Sequence, residues 1–385
     1  MPKKSIAIIV CAWPPGGGGI GNTAFYHAKY LNPDKYEVGV FTPKYHDTLS
    51  LTESGAKQFA IKPFPAFGKA GFMWSLLWRL KDYDILHLYY PFFGTDWIVL
   101  FAKLIYRKKM ILHHQMDPIG DGFKKYFFKI YIKLFLGLFV YFSDRVVGLS
   151  TDQLEHCYLT KYYRKNPAKF FVVPNMVDAE KFYPQPKDSA LMQKLNLKSE
   201  DKVLIFVGCL DAHHYFKGVS LIMKAVQLLQ GKYPNLKFLV VGDGNRRLQY
   251  EQEAKELGID ARVIFAGWVD NVDLPKYYCL ADIQVLPSTD STEAFGGVIA
   301  EAQCCGICSI GSNWPGSRMT LADKETGLLV QPGNQDDLTA KIDLLLGDDS
   351  LRQQMGEKAT LRARHLFSAN YAVGELLPQL YESLK

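Results

Sequence analysis

Short apolar runs alternate with longer helical stretches along the whole chain, and this pattern occurs twice. In the amino-terminal half the runs predict strands near 6–11, 36–42, 84–89, 110–113, 145–149 and 170–173. In the carboxy-terminal half they predict strands near 203–208, 237–241, 262–266, 283–286, 307–310 and 327–330. Strands separated by helices favour parallel sheets that are covered on both faces. The pattern therefore predicts an α/β protein with two doubly wound, Rossmann-like domains.

A polar stretch that contains two prolines, residues 183–189, is the predicted linker between these domains. The chain of 385 residues is long enough for two hydrophobic cores. We expect an amino-terminal domain over 1–182, a second domain over 190–367 and a final helical segment over 368–385. Two such domains would face each other across a cleft at the carboxyl ends of their strands, where doubly wound sheets bind ligands.

The charge of the chain is unevenly distributed. Residues 1–180 carry 23 Lys and Arg against 14 Asp and Glu, whereas residues 181–385 carry 22 against 25. A basic half can face an acidic substrate, anionic lipid or nucleic acid, or it can simply be solvated. No apolar run reaches the roughly 17–25 residues of a membrane span. The amino terminus is typical of a first strand rather than a signal peptide. Seven cysteines, an odd number, indicate reduced thiols, so we expect a cytoplasmic protein.

Two carboxylates eight positions apart, Glu293 and Glu301, bracket the pair Gly296 and Gly297, which opens an apolar run. Glycine backbone N–H groups can approach a phosphate or hydroxyl closely, and the positive end of a following helix favours an anion. One carboxylate can accept from the hydroxyls of a sugar and the other from a ribose. The alternative interpretation is a loop acid followed by a solvated helix acid.

A run of four glycines, 16–19, follows the first predicted strand and precedes a helix, where a phosphate-binding loop belongs. It matches neither GxGxxG nor a Walker motif, which argues against a dinucleotide or NTP-hydrolysing site. A flexible connection is the alternative. Later, His113, His114 and Asp117 lie at the end of a short apolar strand, so one of the two histidines should point into the cleft, although such histidines are often structural.

Two further motifs concern charge and metal. Lys217 stands at a predicted helix start after a strand and a loop, and it could neutralise a diphosphate or be an ordinary solvated lysine. Asp82-Tyr83-Asp84 is similar to a DxD metal motif. It precedes a strand, and acids at a strand start lie at the end opposite the cleft. We therefore predict a solvated edge and no metal.

In combination, these residues resemble a retaining glycosyltransferase of the GT-B fold in family GT4, the glycosyl transferases group 1. In chain order, the resemblance rests on the glycine loop, His114, 143–150, 173–178, 206–208 with 217–219, 240–244, and Glu293 with Glu301. Each motif alone is weak, but seven in this order, over nearly the whole chain, are specific.

The resemblance implies a role for each position. Glu301 would bind the ribose of a UDP- or GDP-linked sugar, Glu293 the donor sugar, and Lys217 the diphosphate. His114 would lie beside the anomeric carbon, with Asp117 on the acceptor side, so that His114 and Glu293 are the candidate catalytic residues. The remaining donor-binding positions are Gly17, Gly18, Gly21 and the backbone of Phe295, Gly296, Gly297 and Val298.

The resemblance also implies the reaction, which is transfer of a hexosyl group to a glycan or lipid-linked acceptor in polysaccharide or glycoconjugate biosynthesis. Cations and helix dipoles would stabilise the leaving diphosphate, so we expect no metal and no other cofactor. Residues 368–385 would cross back onto the first domain. The sequence departs from the family pattern at Cys209, where an arginine is frequent, and at Met176, where glycine is usual. A non-catalytic nucleotide-sugar-binding protein, a sugar-nucleotide epimerase and a Rossmann oxidoreductase remain as alternatives.

Lysines and aromatic residues interleave at helical spacing at the start of a predicted helix over 123–142. Such a helix can lie in a bilayer interface. It can equally pack on the core with its lysines extended to solvent at the edges. The first interpretation would place the protein on the inner membrane face, next to a lipid-linked acceptor. We predict no nucleic-acid partner.

Overall fold

The computed structural model describes residues 3–14, 18–44, 53–68, 70–118 and 122–384. The chain divides into two compact units. Unit 1 comprises Met1–Met176 and Ala369–Lys385, and unit 2 comprises Val177–Ser368. Each unit contains its own parallel sheet with its own core, which confirms the predicted α/β fold of two doubly wound domains.

The sheet of unit 1 has seven strands among the described residues, in the order β3-β2-β1-β6-β7-β8-β9. Its strands are β1 Lys4–Ile9, β2 Tyr36–Pro43, β3 Lys57–Ile61, β6 Ile85–Tyr90, β7 Lys109–His114, β8 Arg145–Gly148 and β9 Phe170–Val172, and a short antiparallel pair, β4 Ala66–Phe67 and β5 Ala70–Gly71, lies outside this sheet. The strand order reverses direction at β1, so the chain segments that follow β1 and β6 flank a topological switch point.

Helices cover both faces of this sheet. They are α1 Gly18–Tyr30, α2 Leu76–Arg79, α3 Thr95–Tyr106, α4 Phe123–Tyr131, α5 Gly137–Phe142, α6 Thr151–His156 and α7 Thr160–Lys165, with a π-helical segment Ile132–Leu136 between α4 and α5 and 3-10 turns at Leu80–Asp82 and Pro167–Lys169. Successive strand residues point to opposite faces. Ala7 and Ile9 accordingly pack in one apolar cluster, and Ile6 and Ile8 pack in another.

Unit 2 has a six-stranded parallel sheet in the order β12-β11-β10-β13-β14-β15. The strands are β10 Lys202–Val207, β11 Leu236–Val241, β12 Val263–Gly267, β13 Ile283–Leu286, β14 Cys308–Ser312 and β15 Gly327–Val330. The helices are α8 Ser189–Lys194, α9 Val219–Leu229, α10 Arg247–Glu256, α11 Leu274–Tyr278, α12 Gly297–Cys304, α13 Gln335–Gly347 and α14 Asp349–Leu366, with 3-10 turns at Ala212–Lys217, Asp260–Arg262 and Ser317–Thr320. Here the switch point lies between β10 and β13.

The carboxy-terminal segment belongs to unit 1 although it follows unit 2 in the chain. A π-helical segment, Asn370–Leu376, continues into α15, Leu377–Glu382. Leu377, Leu380 and Tyr381 are fully buried in unit 1. The Tyr381 hydroxyl lies 2.9 Å from Nδ1 of His87 on β6.

The structure corrects two details of the sequence interpretation. The division between the units falls after Met176, so the expected domain boundary at 182 and the expected linker, 183–189, lie inside unit 2. The reason is local packing, because Phe182 is 1% exposed and its ring contacts Tyr278 at 6.0 Å. The strand β3 was not predicted, since it is a mostly exposed or half-buried edge strand with a mixed sequence, KQFAI.

Among the described residues, no helix combines the length and the apolar character that are needed to cross a bilayer.

Candidate functional site

Lys217 and Glu293 meet at the switch point of unit 2. Lys217 ends the segment that follows β10, and Glu293 lies in the loop that follows β13. The Lys217 Nζ atom is 2.8 Å from Glu293 Oε2, and each side chain is only 14% exposed. Burial alone would raise the pKa of Glu293, but Lys217 and the Gly296 N–H outweigh it and hold this pKa below its usual value. The site therefore contains a charged pair at neutral pH.

The glycine pair starts α12 beside this ion pair. Gly296 has φ +76°, a left-handed conformation that favours glycine, and its N–H donates to Glu293 Oε1 at 3.1 Å. The N–H groups of the first helical turn, from Gly297 and Val298, have no partner within a helix. The positive end of α12 is thus adjacent to Glu293, which is an arrangement that suits an anion.

The side chains of Phe295 and Val298 pack on the apolar core of unit 2. Phe295 is 5% exposed and makes an edge contact with Phe367 at 5.4 Å between ring centroids. Val298 packs against the core cluster. These side chains anchor the start of α12 and leave the backbone of this turn beside Glu293.

Glu301 lies one turn further along α12 and differs electrostatically from Glu293. Its Oε2 atom accepts a hydrogen bond of 2.8 Å from the Tyr278 hydroxyl. Burial raises the pKa of Glu301 to about 7, against the lowering effects of Tyr278 and the more distant Lys181 and Lys217. Glu301 can therefore change its protonation state near neutral pH.

Close backbone contacts fix the loops around this site. A side chain at Gly242 would place its Cβ 1.9 Å from the Gly208 carbonyl oxygen, so the loops after β10 and β11 touch directly. A Cβ at Gly218, which caps α9 with φ +77°, would lie 2.4 Å from the Pro287 carbonyl oxygen. The position of Lys217 is thus set by glycine packing on either side of it.

Cys209 occupies the loop after β10 and contacts acidic rather than phosphate-binding groups. Its Sγ is 2.9 Å from Asp211 Oδ2, and Nδ1 of His214 is 2.7 Å from Asp211 Oδ1. Other cationic side chains of this region have partners of their own. Arg246 donates to Gln249, and Arg247 pairs with Glu251 at 2.8 Å and with Asp243 at 3.5 Å, while the side chain of His213 lies outside the described part of the chain.

Some polar groups of this region were not predicted from the sequence. Tyr278, which holds Glu301, gave no sequence signal because the two residues are brought together only by tertiary packing. The Ser288 and Ser312 hydroxyls follow β13 and end β14, and both are buried without a hydrogen-bond partner in the part of the chain described. The Ser288 carbonyl accepts from the Trp314 indole at 3.1 Å.

In unit 1, the segment after β1 leads into α1. Gly17 lies outside the described residues. Gly18 has φ +58°, begins α1 and is exposed. Gly21 is buried, and a Cβ there would meet the Ala12 carbonyl oxygen at 2.8 Å, so this glycine lets α1 approach the end of β1 closely.

His114 ends β7 at the carboxyl edge of the unit 1 sheet and is fully buried. Its Nε2 atom lies 3.0 Å from Asp117 Oδ1. Burial, the largest influence, lowers the pKa of His114, but the Asp117 carboxylate and Cys157 outweigh it and raise this pKa to about 10. Asp117 in turn accepts from the backbone N–H of Tyr158 at 3.2 and 3.3 Å. The two residues predicted for this edge are therefore in contact.

His113 points to the opposite face of the same strand, as the alternation of strand side chains requires. Its Nδ1 atom is 3.0 Å from Nε2 of His87, in a fully buried group that also contains His27 and Tyr89. Burial holds the pKa of His113 well below its usual value. His113 is thus a neutral core residue.

The Asp82-Tyr83-Asp84 motif lies at the amino end of β6, away from the strand ends just described. Asp84 accepts hydrogen bonds from the Ser5 backbone N–H at 2.9 Å and from the Ser5 hydroxyl at 2.8 Å. These contacts join β6 to the start of β1, so the Asp84 carboxylate has a structural role.

Comparison with known proteins identifies the family to which these features belong. Residues 187–362 match the family model Glycosyl transferases group 1, and residues 17–181 match Glycosyltransferase Family 4. D-inositol 3-phosphate glycosyltransferase of Segniliparus rotundus is 31% identical over 225 residues, which are 57% of this chain and 48% of that protein. Lipopolysaccharide 1,2-N-acetylglucosaminetransferase of Salmonella typhimurium is 29% identical over 240 residues, which are 59% and 60% of the two chains.

The first of these matches spans about half the length of the curated relative. The fold extends further than the sequence match. HepE of Anabaena, solved in complex with UDP, has a TM-score of 0.77 at 18% identity over 98% of this chain and 100% of that chain. Since the two family models cover both units, and the fold agrees with them, the chain belongs to glycosyltransferase family 4, the group 1 glycosyl transferases.

Proposed function

We propose that the protein transfers a sugar from a UDP- or GDP-linked donor to a glycan or lipid-linked acceptor and retains the anomeric configuration. The observation that carries this proposal is the contact of Lys217 with Glu293 beside the amino terminus of α12. Transfer leaves a nucleoside diphosphate that accumulates negative charge. A lysine and the positive end of a helix stabilise such a leaving group.

The unit 2 residues are assigned according to their electrostatics. Lys217 binds the diphosphate. Oxygen atoms of the donor phosphates then replace Glu293 as the partner of some of the lysine N–H groups. Glu293, held ionised, accepts from hydroxyls of the donor sugar. Glu301 accepts from the ribose, and the Tyr278 hydroxyl fixes its orientation. The backbone N–H groups of Gly297 and Val298 complete the anion-binding site.

For the transfer step, we assign the acceptor hydroxyl as the nucleophile, attacking from the face that the diphosphate leaves. No covalent intermediate on the protein is needed, and the hydroxyl proton is transferred to the departing phosphate. In unit 1, His114 and Asp117 are assigned to the acceptor side, where a buried imidazole of raised pKa can donate a hydrogen bond to a sugar hydroxyl or phosphate oxygen.

The ligands and acceptors of related proteins support this assignment. HepE of Anabaena was solved with UDP, which favours a uridine nucleotide among the possible donors. The acceptors of the two named relatives are an inositol phosphate and a lipopolysaccharide. The proposed class of acceptor, a glycan or a lipid-linked molecule, includes the lipopolysaccharide.

The test is the thermal stability of the protein with UDP-, GDP- and ADP-sugars. One nucleotide series should raise the melting temperature, and Lys217→Ala and Glu301→Ala should each abolish this shift. Lys224→Ala on α9 and Glu357→Ala on α14 are matched controls, because both side chains are exposed in the same unit. If no nucleotide sugar changes the melting temperature, the proposal is wrong and a different ligand must be sought. If binding occurs without transfer to any glycan acceptor, the protein is a nucleotide-sugar-binding protein.

We further propose that transfer needs no metal, because Lys217 and α12 supply the positive charge. The rate should be unchanged by EDTA and by added magnesium or manganese. A complete loss of activity with EDTA that manganese restores would contradict this.

The acceptor side is proposed to include an anionic membrane surface. The segment 123–142 exposes an apolar face of Tyr126, Ile130, Leu134 and Tyr141, which are 66%, 59%, 62% and 75% exposed. Lysines 125, 129 and 133 are exposed beside this face, and residues 122–142 contain no acidic side chain. Apolar side chains flanked by lysines suit the interface of an anionic bilayer, where a lipid-linked acceptor resides. On this proposal, the protein would act at the inner membrane face.

A further inference from the structure

Three potential metal ligands converge at the carboxyl edge of the unit 1 sheet. His114 ends β7, Asp117 lies in the next loop, and Cys157 lies between α6 and α7. One ligand atom from each residue lies within 4.8 Å of the other two. Nothing in the sequence spacing of Cys157 relative to His114 signals this arrangement, which the fold creates.

The imidazole of His114 has unused bonding capacity. It is fully buried, its Nε2 atom lies 3.0 Å from an Asp117 oxygen, and its Nδ1 atom has no hydrogen-bond partner of normal geometry among the described residues. A buried polar group without a hydrogen bond is costly, so it normally has a partner that completes its environment. The Cys157 thiol is half-buried and is not part of a disulfide, so its sulfur can act as a ligand to the same partner.

The three side chains are held in place by their own neighbours. Both carboxylate oxygens of Asp117 accept from the Tyr158 N–H, at 3.2 and 3.3 Å, and the Cys157 sulfur accepts from the Leu159 N–H at 3.4 Å. The amide of Gln153 on α6 donates to the Gln115 carbonyl at 3.1 Å and thereby ties the loop of Asp117 to α6. The ligand atoms are thus preorganised across three elements of the fold.

The donor set indicates which cation fits. One nitrogen, one carboxylate oxygen and one thiolate sulfur suit Zn²⁺, whereas Mg²⁺ and Ca²⁺ prefer oxygen alone. Zinc lies about 2.0–2.3 Å from such donors, so ligand atoms within 4.8 Å of one another need to move by only about 1 Å to bind it. Three protein ligands leave a fourth position of the tetrahedron open to water or to a ligand.

A second cluster of the same composition provides a contrast. Cys209, Asp211 and His214 also bring their ligand atoms within 4.8 Å, but all three come from one loop of unit 2, and Cys209 is exposed. Their polar atoms already bond to one another, at 2.9 and 2.7 Å. This cluster lacks the fully buried histidine that distinguishes the cluster in unit 1, since the His214 side chain is 39% exposed.

We propose that His114, Asp117 and Cys157 form a zinc-binding site, and that Zn²⁺ bound there inhibits glycosyl transfer. Zinc would displace a proton from the ring of His114 to solvent and engage that ring nitrogen and the carboxylate of Asp117, which are then withdrawn from the acceptor. The inhibition rests on the proposed function, whereas the binding does not. Magnesium and manganese would not act in this way, so the site is compatible with transfer that needs no metal.

The first test measures binding alone, with purified full-length protein from which metal has been removed by chelation. Zinc sulfate titrated against a chromogenic zinc chelator should reveal a tight site at one equivalent per chain. Cys157→Ser and Asp117→Asn should each weaken this site by more than about tenfold. Cys209→Ser, the matched control in the second cluster, should leave it unchanged. Circular dichroism and thermal melting establish that the variants are folded.

Cobalt replacement gives a readout that a purely structural role of Cys157 would not produce. Co²⁺ at the site should show a thiolate-to-cobalt charge-transfer band together with the visible bands of a four-coordinate ion. The charge-transfer band should disappear in Cys157→Ser and persist in Cys209→Ser. A charge-transfer band that persists in Cys157→Ser and disappears in Cys209→Ser would place the cation in the loop of unit 2 and overturn the proposal. The absence of tight zinc binding would overturn it as well.

Inhibition is then measured relative to the zinc-free rate of each variant. Zinc should inhibit the wild-type protein, EDTA should restore the rate, and Cys157→Ser should need more than about tenfold more zinc for the same inhibition. Zinc that binds without inhibiting would overturn the regulatory part of the proposal. If no transfer activity is found at all, the proposed function fails while the binding and cobalt results still decide the site.

Discussion

Two carboxylates on either side of the start of α12 have opposite electrostatic environments. Glu293 contacts a lysine at 2.8 Å, and its pKa is held low. Glu301 contacts the neutral hydroxyl of Tyr278 at 2.8 Å, and burial raises its pKa to about 7. Glu293 therefore remains ionised near neutral pH, whereas Glu301 changes its protonation state there. This difference has a measurable consequence for nucleotide binding.

Donor affinity should depend on pH through Glu301. An ionised carboxylate accepts from both ribose hydroxyls, whereas protonation removes part of this capacity. With a pKa of about 7, only about a tenth of Glu301 is ionised one pH unit lower, so the affinity for the nucleotide should fall by up to about tenfold between pH 8 and pH 6. Calorimetric titration at pH 6, 7 and 8 measures this.

Glu301→Gln is the matched variant for this prediction, because it keeps the shape of the side chain and removes its titration. It should bind the nucleotide more weakly at pH 8, and its affinity should be flat with pH. A wild-type affinity that does not change over this range, or a slope that persists in Glu301→Gln, would show that another group titrates.

The ion pair of Lys217 and Glu293 should also contribute to the stability of unit 2. Lys217→Met leaves a carboxylate that is only 14% exposed without its cation, which should cost about 1–3 kcal/mol, less than a fully buried pair. Adding Glu293→Gln removes the unpaired charge and keeps an acceptor for the Gly296 N–H. The double variant should therefore be more stable than Lys217→Met.

The four proteins of this cycle are compared by thermal melting at pH 7. A loss of 1 kcal/mol lowers the melting temperature of a unit of this size by about 2–4 °C. If the effects of Lys217→Met and Glu293→Gln simply add, the two side chains do not interact energetically, and the donor-binding loss of a Lys217 variant can be attributed to the missing cation alone.

At the scale of secondary-structure elements, the sequence was most informative where strands are buried on both sides. β10 and β11 read KVLIFV and LKFLVV, nearly continuous apolar runs, and their predicted bounds are within one residue of the observed ones. β3 was missed because KQFAI is a partly exposed edge strand, whose polar residues hide the pattern. The linker was misplaced because prolines and polar residues also occur in a segment that packs on a domain.

The candidate site was partly predictable for a related reason. The Gly296 and Gly297 pair and the spacing of Glu293 from Glu301 are local features, set by how a helix begins. The partners Tyr278 and Cys157 are brought to Glu301 and His114 by tertiary packing, 23 residues away in the first case, and no local pattern reports such a contact.

The exposed face of the segment 123–142 should bind anionic vesicles. Its opposite face is fixed by Trp97 of α3, whose ring contacts Phe135 at 5.0 Å and Phe139 at 5.2 Å. The exposed residues thus do not serve the core. The double variant Ile130→Gln with Leu134→Gln should weaken vesicle binding by about 1–2 kcal/mol, roughly tenfold, because two apolar side chains leave the interface.

Sedimentation with phosphatidylglycerol vesicles at low salt measures this binding, and phosphatidylcholine vesicles test the role of charge. Leu361→Gln is the control, since Leu361 is 74% exposed on α14 of unit 2. The membrane proposal should be abandoned if the wild-type protein ignores anionic vesicles. Concentration-dependent dimers that the double variant abolishes would instead assign the face to a second copy of the chain.

At the scale of the whole molecule, the chain passes from unit 1 to unit 2 after Met176 and returns after Ser368. The returning segment is bound to unit 1 by apolar burial and by polar contacts. Lys4 Nζ donates to the Tyr381 carbonyl at 3.0 Å, and Arg145 donates to the Ser383 hydroxyl at 3.0 Å and to the Ser383 carbonyl at 2.9 Å. The stability of β1 and β8 thus depends on this returning segment.

Leu380→Ala should therefore destabilise unit 1 rather than the adjacent sequence in unit 2. Leu380 is fully buried, and truncating such a leucine costs about 2–5 kcal/mol through lost burial and the cavity left behind. Hydrogen exchange read out on peptides should accelerate in β1, β2 and β6, at least 290 positions away in sequence, and remain unchanged in β10 to β15. Ile342→Ala, fully buried on α13 of unit 2, is the matched control and should give the reverse pattern. Acceleration in both units from either variant would mean that the two units unfold together, and the chain would then behave as one cooperative body rather than two.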